Sequence, residues 1–98
     1  MIMKQQEYLI KQQIKSYLQF NHWFVFNMFQ GPLSYRGISD LIAIKKGHVL
    51  FVEVKTENGR QSQHQKKFEQ DIKGHGGHYC IVKCYEDMRD YIDNNDLQ

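Results

Sequence analysis

The chain has 98 residues, a net charge of +2, 41% hydrophobic residues and 13% aromatics. That balance excludes a disordered polyelectrolyte, and no apolar run approaches the roughly 20 residues a membrane span needs. The length is that of one domain, spanning residues 1–98, small enough that only about 60–65% of its unfolded surface is buried on folding, so self-association would add stability.

Met1-Ile2-Met3-Lys4 leads into a glutamine-rich stretch, not an apolar segment, so no secretory signal is expected. Apolar residues at Ile10, Ile14, Tyr17 and Leu18 follow the spacing of one buried helical face and predict a helix from Ile2 to Phe20. Glu7 falls on the same side. An unpaired carboxylate there is costly, so Glu7 either reaches past the core edge to solvent or points toward a metal. Asn21-His22 breaks the helix. Trp23 to Phe29 reads as a first strand, with Phe24, Phe26 and Met28 on one face. Gln30-Gly31-Pro32 ends it, and the loop to Gly37 carries Ser34, Tyr35 and Arg36.

Two apolar runs, Leu41–Ile44 and Val49–Val54, flank the break Lys45-Lys46-Gly47-His48 and predict a hairpin. With Lys46 and Gly47 as the loop residues, Asp40 falls directly opposite Glu53, where Cβ atoms sit roughly 4.5–5.5 Å apart. Like charges at that distance repel unless a divalent cation lies between them; hard cations such as Mg²⁺ take one or two carboxylates and phosphate oxygens. Side chains alternate along a strand, so Lys55 shares the face of Glu53. Ile42 and Phe51 share it too, whereas Leu41, Ala43, Leu50 and Val52 line the other. Two carboxylates and an ammonium on one short hairpin suit metal-assisted phosphodiester hydrolysis. The competing account is a pair of solvated strand ends, and a one-residue slip in register would separate the carboxylates.

Ser62 is a reasonable N-cap for a helix from Gln63 to about Lys73, with Gln65, Phe68 and Ile72 inward. Arg60, His64, Lys66, Lys67 and Lys73 make this region basic, either as a solvated helix face or as a track for a phosphate backbone. Gly74, Gly76 and Gly77 close the helix. Tyr79 to Tyr85 reads as a strand, Glu86 to about Asn94 as a last helix, and Asn94–Gln98 as a fraying tail. Cys80 and Cys84 lie four apart in that strand, about 13 Å at 3.3 Å per residue. A disulfide needs less than about 7 Å, so two thiols in a reducing cytoplasm are expected. Together with His75 and His78 they fit no paired zinc-ligand spacing. The order αβββαβα predicts an α/β fold, a mixed central sheet flanked by helices, with a crossover between parallel strands.

Asp40, then Glu53-Val54-Lys55 on a hairpin, then a crossover helix, resembles the PD-(D/E)xK nuclease superfamily with its restriction-endonuclease-like core. Within it, Gly37-Ile38-Ser39-Asp40, Phe51-Val52-Glu53-Val54-Lys55 and Gly59-Arg60-Gln61-Ser62 leading to Gln65 and Phe68 resemble the virus-type replication-repair nuclease (VRR-Nuc) family, over about residues 5–92. Ser39 departs from the proline of the superfamily label. The resemblance implies a Mg²⁺- or Mn²⁺-dependent endonuclease of DNA repair. Asp40, Glu53 and the Val54 carbonyl would hold the metal, Lys55 would stabilise the attacking water or transition state, and Gln65 would line the pocket. Glu7 would match the acidic residue of the first helix, which holds the metal through water. Arg36, Tyr35, Arg60, Lys66 and Lys67 are the candidate DNA contacts. The resemblance also points to a homodimer acting on branched or Holliday-junction-like DNA in a bacterial or phage-host cytoplasm, and the aromatic surplus of Trp23, Phe24, Phe26, Phe29 and Tyr35 agrees. The alternative is a catalytically inactive nucleic-acid-binding module that keeps the fold.

Overall fold

The computed structural model describes residues 2–98, with side chains from Gln6 onward. Among the described residues seven elements follow one another: α1 (Ile2–Phe20), β1 (Phe24–Asn27), β2 (Leu41–Lys45), β3 (His48–Val54), α2 (Gln63–Gly74), β4 (His78–Val82) and α3 (Tyr85–Asn94). The strands form one mixed sheet in the order β1-β2-β3-β4. The first two pairings are antiparallel; β3 and β4 run parallel, joined by α2 as crossover.

The β2–β3 hairpin has the expected register: Lys45 pairs with His48 and Leu41 with Val52. Lys46 and Gly47 both have positive φ, 52° and 83°, the type I′ geometry whose twist matches the strands it joins. One face of the sheet buries Leu41, Ala43, Leu50, Val52 and Val54 against Ile14 and Leu18 of α1 and Met88 and Ile92 of α3. On the other face α2 lays Phe68 edge-on against Phe51 of β3 and Tyr79 of β4.

All three helices end in the same way. Trp23, Gly77 and Leu97 each donate a backbone N–H to the carbonyl five residues back, on Leu18, Ile72 and Ile92 respectively. The residue before each donor has a φ of 70°, 82° or 54°. This is the Schellman closure, in which a left-handed residue turns the chain back and an apolar residue after it often packs on the helix.

That motif explains two departures from the sequence-based expectation. The tail does not fray: Leu97 is only 2% exposed, because Asp96 supplies the left-handed turn that folds it inward. Trp23 likewise lies in the core with Val25, so it does not belong to the exposed aromatic surplus. Phe24 and Phe26 do share a face, as expected, but it is the open one. Phe24 is 66% exposed, because α2 packs over β4, at the opposite edge of the sheet from β1. The last strand is shorter than expected, and α3 starts at Tyr85 after Cys84 as N-cap.

Candidate active site

Where β2 begins and β3 ends, the hairpin opens and its polar residues converge. Asp40 immediately precedes β2. Met28 donates its N–H to the Asp40 carbonyl at 2.9 Å, continuing the β1–β2 pairing, and the buried Ser39 Oγ donates to the Leu41 carbonyl at 3.2 Å. The Asp40 carboxylate accepts from the Val54 N–H at 2.8 Å through Oδ2 and from Gln30 Nε2 at 3.1 Å through Oδ1. In an antiparallel ladder a residue's N–H and C=O project to the same side, so the Val54 carbonyl is turned with its N–H toward Asp40.

Glu53 is 1% exposed. Its Oε2 accepts from Gln65 Nε2 at 2.8 Å and lies 3.5 Å from Lys55 Nζ. Its Oε1 is buried and has no hydrogen-bond partner among the described residues. Loss of solvent, and then the charge of Asp40, push the Glu53 carboxyl up to about 8, while the Lys55 ammonium pulls the other way. Lys55 Nζ donates to Gln65 Oε1 at 3.0 Å.

Gln65 therefore joins three parts. It is the N3 residue of α2 in a capping box with Ser62: its N–H donates to Ser62 Oγ at 3.1 Å, and its Oε1 accepts from the Ser62 N–H at 2.9 Å. The same side chain holds Lys55 and Glu53. The loop from residue 31 to 37 docks on this turn through Gly37. At φ 78° a Cβ there would lie 2.1 Å from the His64 carbonyl oxygen, so only glycine fits on both counts.

These donors fit a hard divalent cation. An orphaned carboxylate oxygen, a second carboxylate beside it and a carbonyl turned the same way are oxygen ligands of the kind Mg²⁺ takes, with water or substrate completing the shell. No cluster of three or more His, Cys, Asp or Glu side chains suited to a metal occurs among the described residues, so a cation here would have two carboxylates and backbone as its protein donors.

A family model described as the VRR-NUC domain matches residues 5–84. The chain belongs to the VRR-NUC family. A solved structure titled "VRR_NUC domain" shares its fold, with a TM-score of 0.77 at 22% identity over 90% of this chain and 95% of that one. A search of curated proteins finds no match. The VRR-NUC assignment gives the chain a nuclease-type fold.

The structure brings Asp40, Glu53, Lys55, Gln65 and the Val54 backbone of this VRR-NUC domain together. It does not join Glu7 to them: Glu7 is half-buried on α1 and, among the described residues, makes no hydrogen bond or ion pair with any of these groups. Among the candidate DNA contacts, Tyr35 and Arg36 lie on the loop beside Gln65, and Tyr35 packs against Phe68 with ring centroids 5.7 Å apart. Arg60 is exposed and donates to the Gly59 carbonyl at 3.4 Å, and Lys66 is exposed on α2. Lys67 is already paired with Asp71 at 2.8 Å, which offsets its charge. Gln30 and His64 are additions. Gln30 follows an aromatic run and carries no motif; His64 reads in the sequence as one more basic residue.

Proposed function

We propose that this VRR-NUC domain is a divalent-metal-dependent DNA endonuclease that hydrolyses phosphodiester bonds. The observation that carries the reading is the buried Glu53 Oε1, left without a partner beside Asp40. Burial and the neighbouring Asp40 raise this carboxyl to about 8, so its charged form is costly there; a cation would satisfy both carboxylates at once. Asp40, Glu53 and the Val54 carbonyl would hold Mg²⁺ or Mn²⁺, whose chemistry is to lower the pKa of water and offset charge on the phosphate. Lys55 places its ammonium where charge grows on the phosphoryl oxygens or the attacking water. Gln65 fixes both Lys55 and Glu53. Glu7 acts at most through water. Arg36, Tyr35, Arg60 and Lys66 contact the DNA backbone, with Lys67 contributing less because of Asp71.

The finer reading is a homodimer that selects branched, Holliday-junction-like DNA in a reducing cytoplasm. Phe24 and Phe26, with ring centroids 5.5 Å apart on the edge strand, and the 69%-exposed Phe29 supply apolar area for an isologous contact. Two copies would present two sites to a symmetric junction.

The test is incubation of supercoiled plasmid and a four-way junction with Mg²⁺, Mn²⁺ or EDTA. Cleavage in either metal and none in EDTA is expected. DNA binding without cleavage under any cation would replace this reading with the inactive binding module. Light scattering should give about twice the 11.8 kDa chain mass. A monomer would remove the dimer, and equal cutting of linear duplex and junction would remove the substrate preference.

A further inference from the structure

We propose that the cavity between the 31–37 loop and the first turn of α2 seats the DNA phosphate next to the one being cut, held by Arg36 and His64. The proposal rests on the nuclease reading for which phosphate it is, but not for whether a phosphate binds.

The cavity has a volume of about 480 Å³ and is separated from the carboxylates by the side chains that hold them. Two of its lining residues hold them: Gln30 donates to Asp40 and Gln65 to Glu53. With the scissile phosphate at the carboxylates, the proposal puts the neighbouring phosphate on the far side of Gln30 and Gln65, in this space.

The lining also has the chemistry of an anion seat. Arg36 Nη1 lies 3.4 Å from His64 Nε2, and Arg36 forms no ion pair among the described residues. None of the lining residues carries a carboxylate. A guanidinium with no internal counterion, beside an imidazole and hydroxyl and amide groups, matches phosphate in fork geometry and charge. A nucleobase is the poorer occupant, because Tyr35, the aromatic residue lining the cavity, is already packed on Phe68.

The seat is built before any ligand arrives. Gly37 docks directly on the His64 backbone, so the loop carrying Arg36 is fixed against the helix carrying His64. Recognition then needs little loop ordering, which is where binding energy is otherwise lost.

The experiment measures binding in EDTA, where no hydrolysis occurs, to duplex and four-way-junction DNA carrying a single neutral methylphosphonate at successive positions. In the wild-type protein one position should weaken binding about 10-fold, the scale of a hydrogen bond to a charged group. Arg36→Ala should bind unmodified DNA about 10-fold more weakly, become indifferent to that position alone, and lower the duplex salt slope by about 0.9. His64→Ala should show a smaller share of the same pattern, and Arg36→Lys, which keeps charge without the fork, should fall between. If Arg36→Ala and wild type respond identically at every position, the seat does not exist. If an abasic site abolishes binding where the methylphosphonate does not, the occupant is a base and the proposal is overturned. Because cleavage is not read, a protein that fails to cut under any metal would sink the nuclease reading and leave this result standing.

Discussion

Successive residues at the end of β3 point in opposite directions and meet opposite fates. Val52 and Val54 enter the dry face with Leu41, Ala43 and Leu50; Glu53, between them, enters the face under α2 and is equally buried. Removing an aliphatic side chain from water contributes about 1.5–3 kcal/mol. Removing the Glu53 carboxylate costs free energy, visible as its displacement from 4.5 to about 8. One face thus stabilises the domain under all conditions. The other also gains from Phe68 packed on Phe51 and Tyr79, but carries in Glu53 a carboxylate whose unfavourable charge is relieved by a proton or a cation.

The sharpest break between the faces is Glu53→Gln. Cleavage should fall at least about 10²-fold, the scale of losing one preorganised electrostatic contact. Stability of the metal-free protein should rise, because the amide keeps an acceptor for Gln65 and is neutral in the folded and unfolded states alike, so burying it requires no proton uptake. The sign follows from the raised pKa: the folded state holds its proton where the unfolded state has released it, so metal-free wild type should lose stability as pH rises from about 4.5 to about 8. Glu53→Gln should flatten that slope. A wild-type melting temperature that climbs across this interval would contradict the burial argument.

Leu50→Ala probes the dry face and should do the reverse. Urea denaturation should show a loss of about 2–5 kcal/mol, while turnover per folded molecule in Mg²⁺ stays near wild type. If turnover collapsed at a temperature where circular dichroism shows the variant folded, the faces would not be separable.

Lys55→Ala should lower turnover about 10²-fold and leave metal affinity nearly intact, since an ammonium is not a cation's ligand. Calorimetry showing metal binding abolished, with turnover surviving at saturating metal, would reverse that role.

The smallest expected effect lies outside both faces. Removing one cation that neutralises a phosphate lowers the duplex salt slope by about 0.9. Lys66→Ala should approach that figure and Lys67→Ala should fall short, because Asp71 already holds the Lys67 ammonium. An unchanged slope in the double variant would take the helix face off the DNA path.

Much of the chemistry was legible because it is local. Hairpin register follows from a two-residue turn, and alternation then puts Asp40, Glu53 and Lys55 on one face without any knowledge of the rest of the chain. The N-cap at Ser62 is equally local, though its reciprocal bond with Gln65 emerges only in the structure. Gln30 and His64 were not legible, because each acts across a tertiary gap: 10 residues from Gln30 to Asp40 and 28 from Arg36 to His64. The buried Leu97 was hidden by Asp96, which takes a left-handed conformation more common for glycine. The open face of Phe24 and Phe26 depended on where α2 stops, and the apolar pattern of a four-residue edge strand does not encode that.

Gln65 ties Lys55 and Glu53 to the opening motions of a helix end. The first turn of a helix ordinarily opens more readily than the core, yet here it cannot open without releasing Lys55 and Glu53 as well. A cation at the carboxylates would therefore be felt as slower amide hydrogen exchange at the Gln65 N–H, whose acceptor is Ser62 Oγ. The helix cap becomes a reporter of site occupancy, readable without any turnover at all.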